Sequence, residues 1–261
     1  MKNYKNAIGN AIIMWIVGSC SVILPVIYCI ICYVIGSDAK YFNILMSVSW
    51  ILGGILAIYV MKKKYHMDIK EYSRKPDLKI LMLVIVVAVF YTLTIMYVVY
   101  KPMLKGEPGI DTLTIVRLVF TSIANPIGEE LTFRFGMLTL LLLAAKDSRF
   151  KIMFSIVIVS VVWMMMHLSG YIPRCFEIIF VGIIIGAIYL KSKNIIYCIA
   201  FHIVVNTVVF IFASLYPWFL EREYILYIST PLFLFSIVAL FYNLYKIDYG
   251  KFMLEVEHKL S

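Results

Sequence analysis

YFNILMSVSWILGGILAIYVM, residues 41–61, runs for about twenty residues without a single charge and closes on Lys62-Lys63-Lys64. A helix needs about 20 apolar residues in succession to cross the roughly 30 Å hydrocarbon core of a bilayer. A basic run directly beyond such a stretch is a topology signal. The same pattern recurs along the chain, with charge-poor stretches at 7–35, 41–61, 80–100, 112–145, 152–169, 172–190, 194–217 and 224–245. These predict an all-α, polytopic membrane helical bundle of about eight transmembrane helices.

Composition points the same way. Of 261 residues, 63% are hydrophobic and 15% are charged, and the mean hydropathy is +0.93; soluble domains carry about a quarter charged residues. Counted over alternate loops, one side takes seventeen Lys and Arg, including Lys62, Lys63, Lys64, Lys70, Arg74, Lys75, Lys79, Lys191 and Lys193. The other side takes five: Lys40, Lys101, Lys105, Arg174 and Arg222. The excess belongs on the cytoplasmic face, which predicts a multi-pass protein of the cell membrane with both termini cytoplasmic. The net charge of +9 is then explained by basic loops against anionic lipid headgroups, with no nucleic-acid partner. Without repeats or a low-complexity tail, 1–261 reads as a single membrane domain, and the apolar run after Lys2 and Lys5 as a retained first span, tilted or kinked near Pro25. The five cysteines, Cys20, Cys29, Cys32, Cys175 and Cys198, read as reduced packing residues, since four lie inside apolar stretches. The stretch 112–145 would reach about 50 Å as one helix, so a break is expected at Asn125-Pro126, where proline removes a backbone donor and disfavours helical geometry before it.

Polar residues inside these stretches carry the functional signal, because each membrane charge costs at least about 2.5 to 3.5 kcal/mol on insertion scales. The densest group is Gly128-Glu129-Glu130-Leu131-Thr132-Phe133-Arg134. On an α-helix Glu130 and Arg134 share a face, so Arg134 can neutralise Glu130, while Glu129 points about 100° away and stays free as a candidate general base. His167 follows Trp163 by one turn, and His202 and Asn206 again stand four apart. Structural readings exist for each: an acidic pair at a helix N-terminus for Glu129 and Glu130, helix-to-helix hydrogen bonding for the histidines, and snorkelling or pairing for Arg117, Arg174 and Glu177.

The order Glu-Glu-x-x-x-Arg, aromatic-x-x-x-His, His-x-x-x-Asn resembles the CPBP intramembrane proteases, the CAAX-processing and bacteriocin-processing (Abi) family that includes the type II CAAX prenyl endopeptidase. The resemblance covers about 100–215, the expected protease core. It implies an endopeptidase in which Glu129 activates water, His167 assists, Glu130 and Arg134 support, and His202 and Asn206 hold the oxyanion. It also implies a metal-dependent alternative, in which Glu129, His167 and His202 hold zinc; both chemistries stay open, since a carboxylate with imidazoles suits zinc whereas Asn206 suits an oxyanion. The family usually has phenylalanine where this chain has Trp163. The implied partners are the bilayer and a peptide or protein-tail substrate: a prenylated CAAX tail, or a peptide pheromone or bacteriocin precursor. The rival readings are a non-catalytic bacteriocin-immunity or regulatory protein of the same fold, and a transporter or proton relay built on the two glutamates.

Overall fold

The computed structural model describes residues 7–37, 41–96, 99, 116, 120–145, 148–167, 171–215 and 224–245. Among them every regular element is helical. Helix α1 spans Ala7–Val34 with Pro25 inside it, α2 Phe42–Tyr65, the single turn α3 Ile69–Tyr72, and α4 Leu78–Ile95. A π-helical turn, Phe120–Ala124, leads into α5, Asn125–Glu130; a second π-helical stretch, Leu131–Leu138, leads into α6, Thr139–Ala145. Then come α7 Arg149–Met166, α8 Ile172–Ser192, α9 Ile195–Leu215 and α10 Tyr224–Tyr245.

Among the described residues five helices, α2, α4, α7, α8 and α10, are long and apolar enough to cross a membrane. They account for five of the expected eight. Only the shorter apolar pieces Pro25–Val34 and Ile195–Phe210 of α1 and α9 are described closely enough to qualify. The expected span at 112–145 is described only in part before Phe120, and Arg117 lies outside the described residues, as do Lys2 and Lys5 and the basic residues beyond Tyr245. From Phe120 onward that stretch is divided by changes of helix type. The break at Asn125-Pro126 is therefore milder than expected. Ala124 keeps right-handed helical angles (φ −70°, ψ −43°), and Pro126 sits in the first turn of α5. A π turn just before proline moves the carbonyl that its ring would strike, so the chain changes winding there without stopping.

Local signals account for the ends. Asp68 and Asp77 cap α3 and α4 by accepting from Lys70 N–H and Ile80 N–H, and Ser148 caps α7 through Lys151 N–H; such caps satisfy donors that a helix start leaves free. His66 and Lys193 end α2 and α8 in the left-handed conformation (φ 56° and 49°).

Contacts between loops show which ends lie together. Tyr197 at the start of α9 accepts a hydrogen bond from Asp77 N–H at 2.7 Å, and Asn194 Nδ2 donates to the Arg74 carbonyl at 2.9 Å. Lys191, closing α8, lies over the ring of Tyr245, closing α10, at 5.2 Å. Two of the basic segments and the end of α10 thus share one end of the bundle, the end at which α4 and α9 begin. Since α7 and α8 alternate with them, His167 and Arg174 lie toward the opposite end.

Two close helix crossings fix the interior. Gly128 of α5 lies against the backbone of α2: a Cβ there would stand 2.2 Å from the Trp50 carbonyl oxygen. Gly182 and Gly186 of α8 pack on Ser160 and Ile156 of α7, where added Cβ atoms would stand 2.8 Å from each side chain. In a bilayer the lipid tails are as apolar as the helices, so close packing through small residues replaces the hydrophobic drive to associate. The outer faces carry large apolar side chains such as Ile30, Tyr59, Phe154, Phe176 and Phe235. That arrangement suits lipid.

Candidate active site

The site is built where α5, the π-helical stretch after it, α7, α8 and α9 meet. Glu129 is 4% exposed; Glu130 and Arg134 are fully buried. Charges this deep persist only when neighbours neutralise and hydrogen-bond them.

Glu130 carries one ion-pair network. Arg134 Nη1 donates to Glu130 Oε1 at 3.1 Å, the four-residue pairing that the sequence predicts. His202 Nδ1 meets the same oxygen at 2.9 Å. Arg134 Nη2 also donates to the Gly182 carbonyl at 3.4 Å, which ties the network to α8. Among the described residues Glu130 Oε2 and Arg134 Nε have no hydrogen-bond partner.

Glu129 belongs to a different neighbourhood, as its position on the helix requires. It is not partnerless, however: Trp163 Nε1 donates to Glu129 Oε2 at 2.6 Å. The expectation of a free carboxylate thus needs correction, because an ionised carboxyl in so dry a setting needs a donor that does not come from water. Trp163 is the centre of the arrangement. Its ring lies 4.6 Å from the Arg134 guanidinium carbon, a cation–π contact. Its centroid stands 4.9 Å from that of His167 and 5.2 Å from that of His202, with both imidazoles nearly perpendicular to it.

His167 follows the last turn of α7, and its Nδ1 lies 2.9 Å from the Trp163 carbonyl. A carbonyl can only accept, so Nδ1 carries the proton and a neutral His167 presents Nε2 as a lone pair. By the same logic His202 donates from Nδ1 to Glu130 and turns Nε2 away from it. Asn206, one turn beyond His202, donates through Nδ2 to the Thr121 carbonyl at 3.4 Å, joining α9 to the first π-helical turn. π-Helical turns occur disproportionately at functional sites, and here they flank both glutamates.

Five of the six residues singled out in the sequence, Glu129, Glu130, Arg134, His167 and His202, therefore take part in one continuous set of contacts through Trp163, while Asn206 bonds instead to the Thr121 carbonyl. What the sequence reading missed are the indole N–H, the Gly182 carbonyl and the Thr121 carbonyl. Only Gly182 left a trace, in the Gly182-x-x-x-Gly186 spacing typical of close membrane crossings. Half-buried Arg174 and buried Glu177 form another pair: Arg174 Nη1 bonds to Glu177 Oε2, and Tyr91 Oη donates to Glu177 Oε1 at 2.9 Å.

Zinc fits this arrangement poorly. Among the described residues no three His, Cys, Asp or Glu side chains converge as a ligand set. Among the described residues, Cys29, Cys32, Cys175 and Cys198 form no disulfide.

Residues 111–208 match the family model of the type II CAAX prenyl endopeptidase Rce1-like proteins. The chain carries an Rce1-like segment. It falls inside the 100–215 expected from the motifs and holds all six site residues, from the glutamate pair to Asn206. That family is one of intramembrane proteases, and the apolar helices of this chain agree with a membrane setting. No curated protein and no solved structure matches the chain.

Proposed function

We propose that the chain is an intramembrane endopeptidase that hydrolyses a peptide bond in a membrane-associated peptide or protein tail, with Glu129 as the general base. The observation that supports this reading best is the buried pairing pattern: Glu130 is committed to Arg134 and His202, whereas Glu129 holds one indole N–H and keeps Oε1 for other work. Glu129 takes a proton from water as the oxygen attacks the scissile carbonyl, and His167, with Nε2 as a lone pair, shares that task. Negative charge then develops on the carbonyl oxygen. His202 Nε2 and the second N–H of Asn206 are the donors that meet it, provided His202 is the imidazolium. Collapse of the tetrahedral intermediate returns the proton to the leaving amine. No step passes through a metal.

The likeness to type II CAAX prenyl endopeptidases makes a prenylated C-terminal tail the first substrate to test. In the proposed topology the basic end faces the cytoplasm. His202 lies seven residues into α9 from that end, about 10 Å of helix rise, so the site sits at depth and not at a surface. The test is direct. Purified protein in detergent should cleave a quenched prenylated CAAX peptide, and loss of cleavage when the prenyl group is omitted would support recognition of the lipid. No cleavage of that peptide or of unprenylated tail peptides contradicts the proposal.

A further inference from the structure

We propose that Trp163 is a positioning residue for Glu129, whose indole N–H fixes which carboxylate oxygen is left for the reacting water. This rests on the reading of Glu129 as the base. The 2.6 Å contact from Trp163 Nε1 to Glu129 Oε2 is a short, charge-assisted hydrogen bond between groups that share almost no solvent. An indole N–H can only donate. It neither takes the proton that Glu129 abstracts nor exchanges roles with it, so Oε2 stays occupied throughout turnover and Oε1 remains the proton-accepting oxygen.

The donor is itself held from several sides. The Trp163 ring faces the Arg134 guanidinium, and both imidazoles stand edge-on to it within about 5 Å. Arg134 is fixed in turn by Glu130 and by the Gly182 carbonyl. Gly182 is pressed against Ser160, three residues before Trp163 on α7. The closed path Ser160, Gly182, Arg134, Trp163 allows the indole little rotation, so its N–H has a defined direction before substrate arrives. Such preorganisation is what a general base needs, because a misplacement of about 1 Å can cost 10²-fold in rate. Phenylalanine at this position would keep the ring contacts and lack the hydrogen bond.

The experiment uses Trp163→Phe and Glu129→Gln in the full-length protein. With the prenylated peptide, Trp163→Phe should lower kcat by about ten- to a hundredfold, the loss expected for one hydrogen bond to a charged group, with KM changed less than about twofold. A kcat within about twofold of wild type overturns the proposal. Should Trp163→Phe fail to fold, ultraviolet resonance Raman spectra of wild type and Glu129→Gln decide. The other three tryptophans cancel in the difference, and the indole N–H band should shift when a neutral amide replaces the carboxylate. An unshifted band with cleavage lost in Glu129→Gln overturns the Trp163 bond alone. Full cleavage by Glu129→Gln overturns the base assignment, and the positioning role falls with it.

Discussion

Replacing Gly128 by alanine tests the packing that carries Glu129. The added Cβ would lie 2.2 Å from the Trp50 carbonyl oxygen, 2.3 Å from its carbon and 2.8 Å from Ile51 N, all of them backbone atoms of α2. Ordinary contact is about 3.4 Å or more, so α2 and α5 would have to part by roughly 1 Å, because no side chain can swing aside. Overpacking of this kind costs about 1 to 3 kcal/mol. The displacement falls on the residue directly before Glu129, so a rate loss of about 10²-fold is expected besides the stability loss. Gly9→Ala is the control, since nothing stands within 4 Å of a Cβ there. Thermal unfolding in detergent and cleavage of the prenylated peptide should both fall for Gly128→Ala and be unchanged for Gly9→Ala. Equal behaviour of the two variants would refute the close crossing and the placement of Glu129 that depends on it.

Glu130→Gln leaves Arg134 as a buried cation without its carboxylate, and breaking one side of such a pair costs about 3 to 5 kcal/mol; the melting temperature should drop markedly, and an unchanged one would show that the pair does not form. His202→Ala and Asn206→Ala should each slow cleavage by roughly 10²-fold or more with little change in KM, as donors acting in the transition state do; unchanged turnover in both would remove them from the site. Elemental analysis of purified protein should find well under one zinc per chain, and about one per chain, lost in His202→Ala, would overturn the metal-free mechanism.

Much of this site is legible in the sequence because its pairings are local. Glu130 with Arg134, and His202 with Asn206, stand four residues apart, so helix geometry alone puts each pair on a common face. Trp163 and His167 share a face for the same reason, and the T-shaped ring contact follows. The contacts between segments have no such spacing. Trp163 reaches Glu129 across 34 residues and His202 reaches Glu130 across 72, so only packing reveals which atoms meet. The Gly182 and Thr121 carbonyls are backbone groups, and any residue type could have supplied them. The π-helical winding around the glutamates is likewise hidden, since no residue type marks an i to i+5 hydrogen bond as proline marks a break. Charge gaps located the helices well, but they do not show that the glutamate-bearing stretch is buried among its neighbours and divided by changes of helix type.

The central claim is that Glu129, and not its neighbour, is the base, and Glu129→Gln tests it most directly. Gln keeps the volume and an acceptor for the Trp163 N–H, and it breaks no ion pair, so the variant should match wild type in thermal stability and in binding of the prenylated peptide. Cleavage should fall nearly to background. Near-normal cleavage by a folded Glu129→Gln protein would contradict the account.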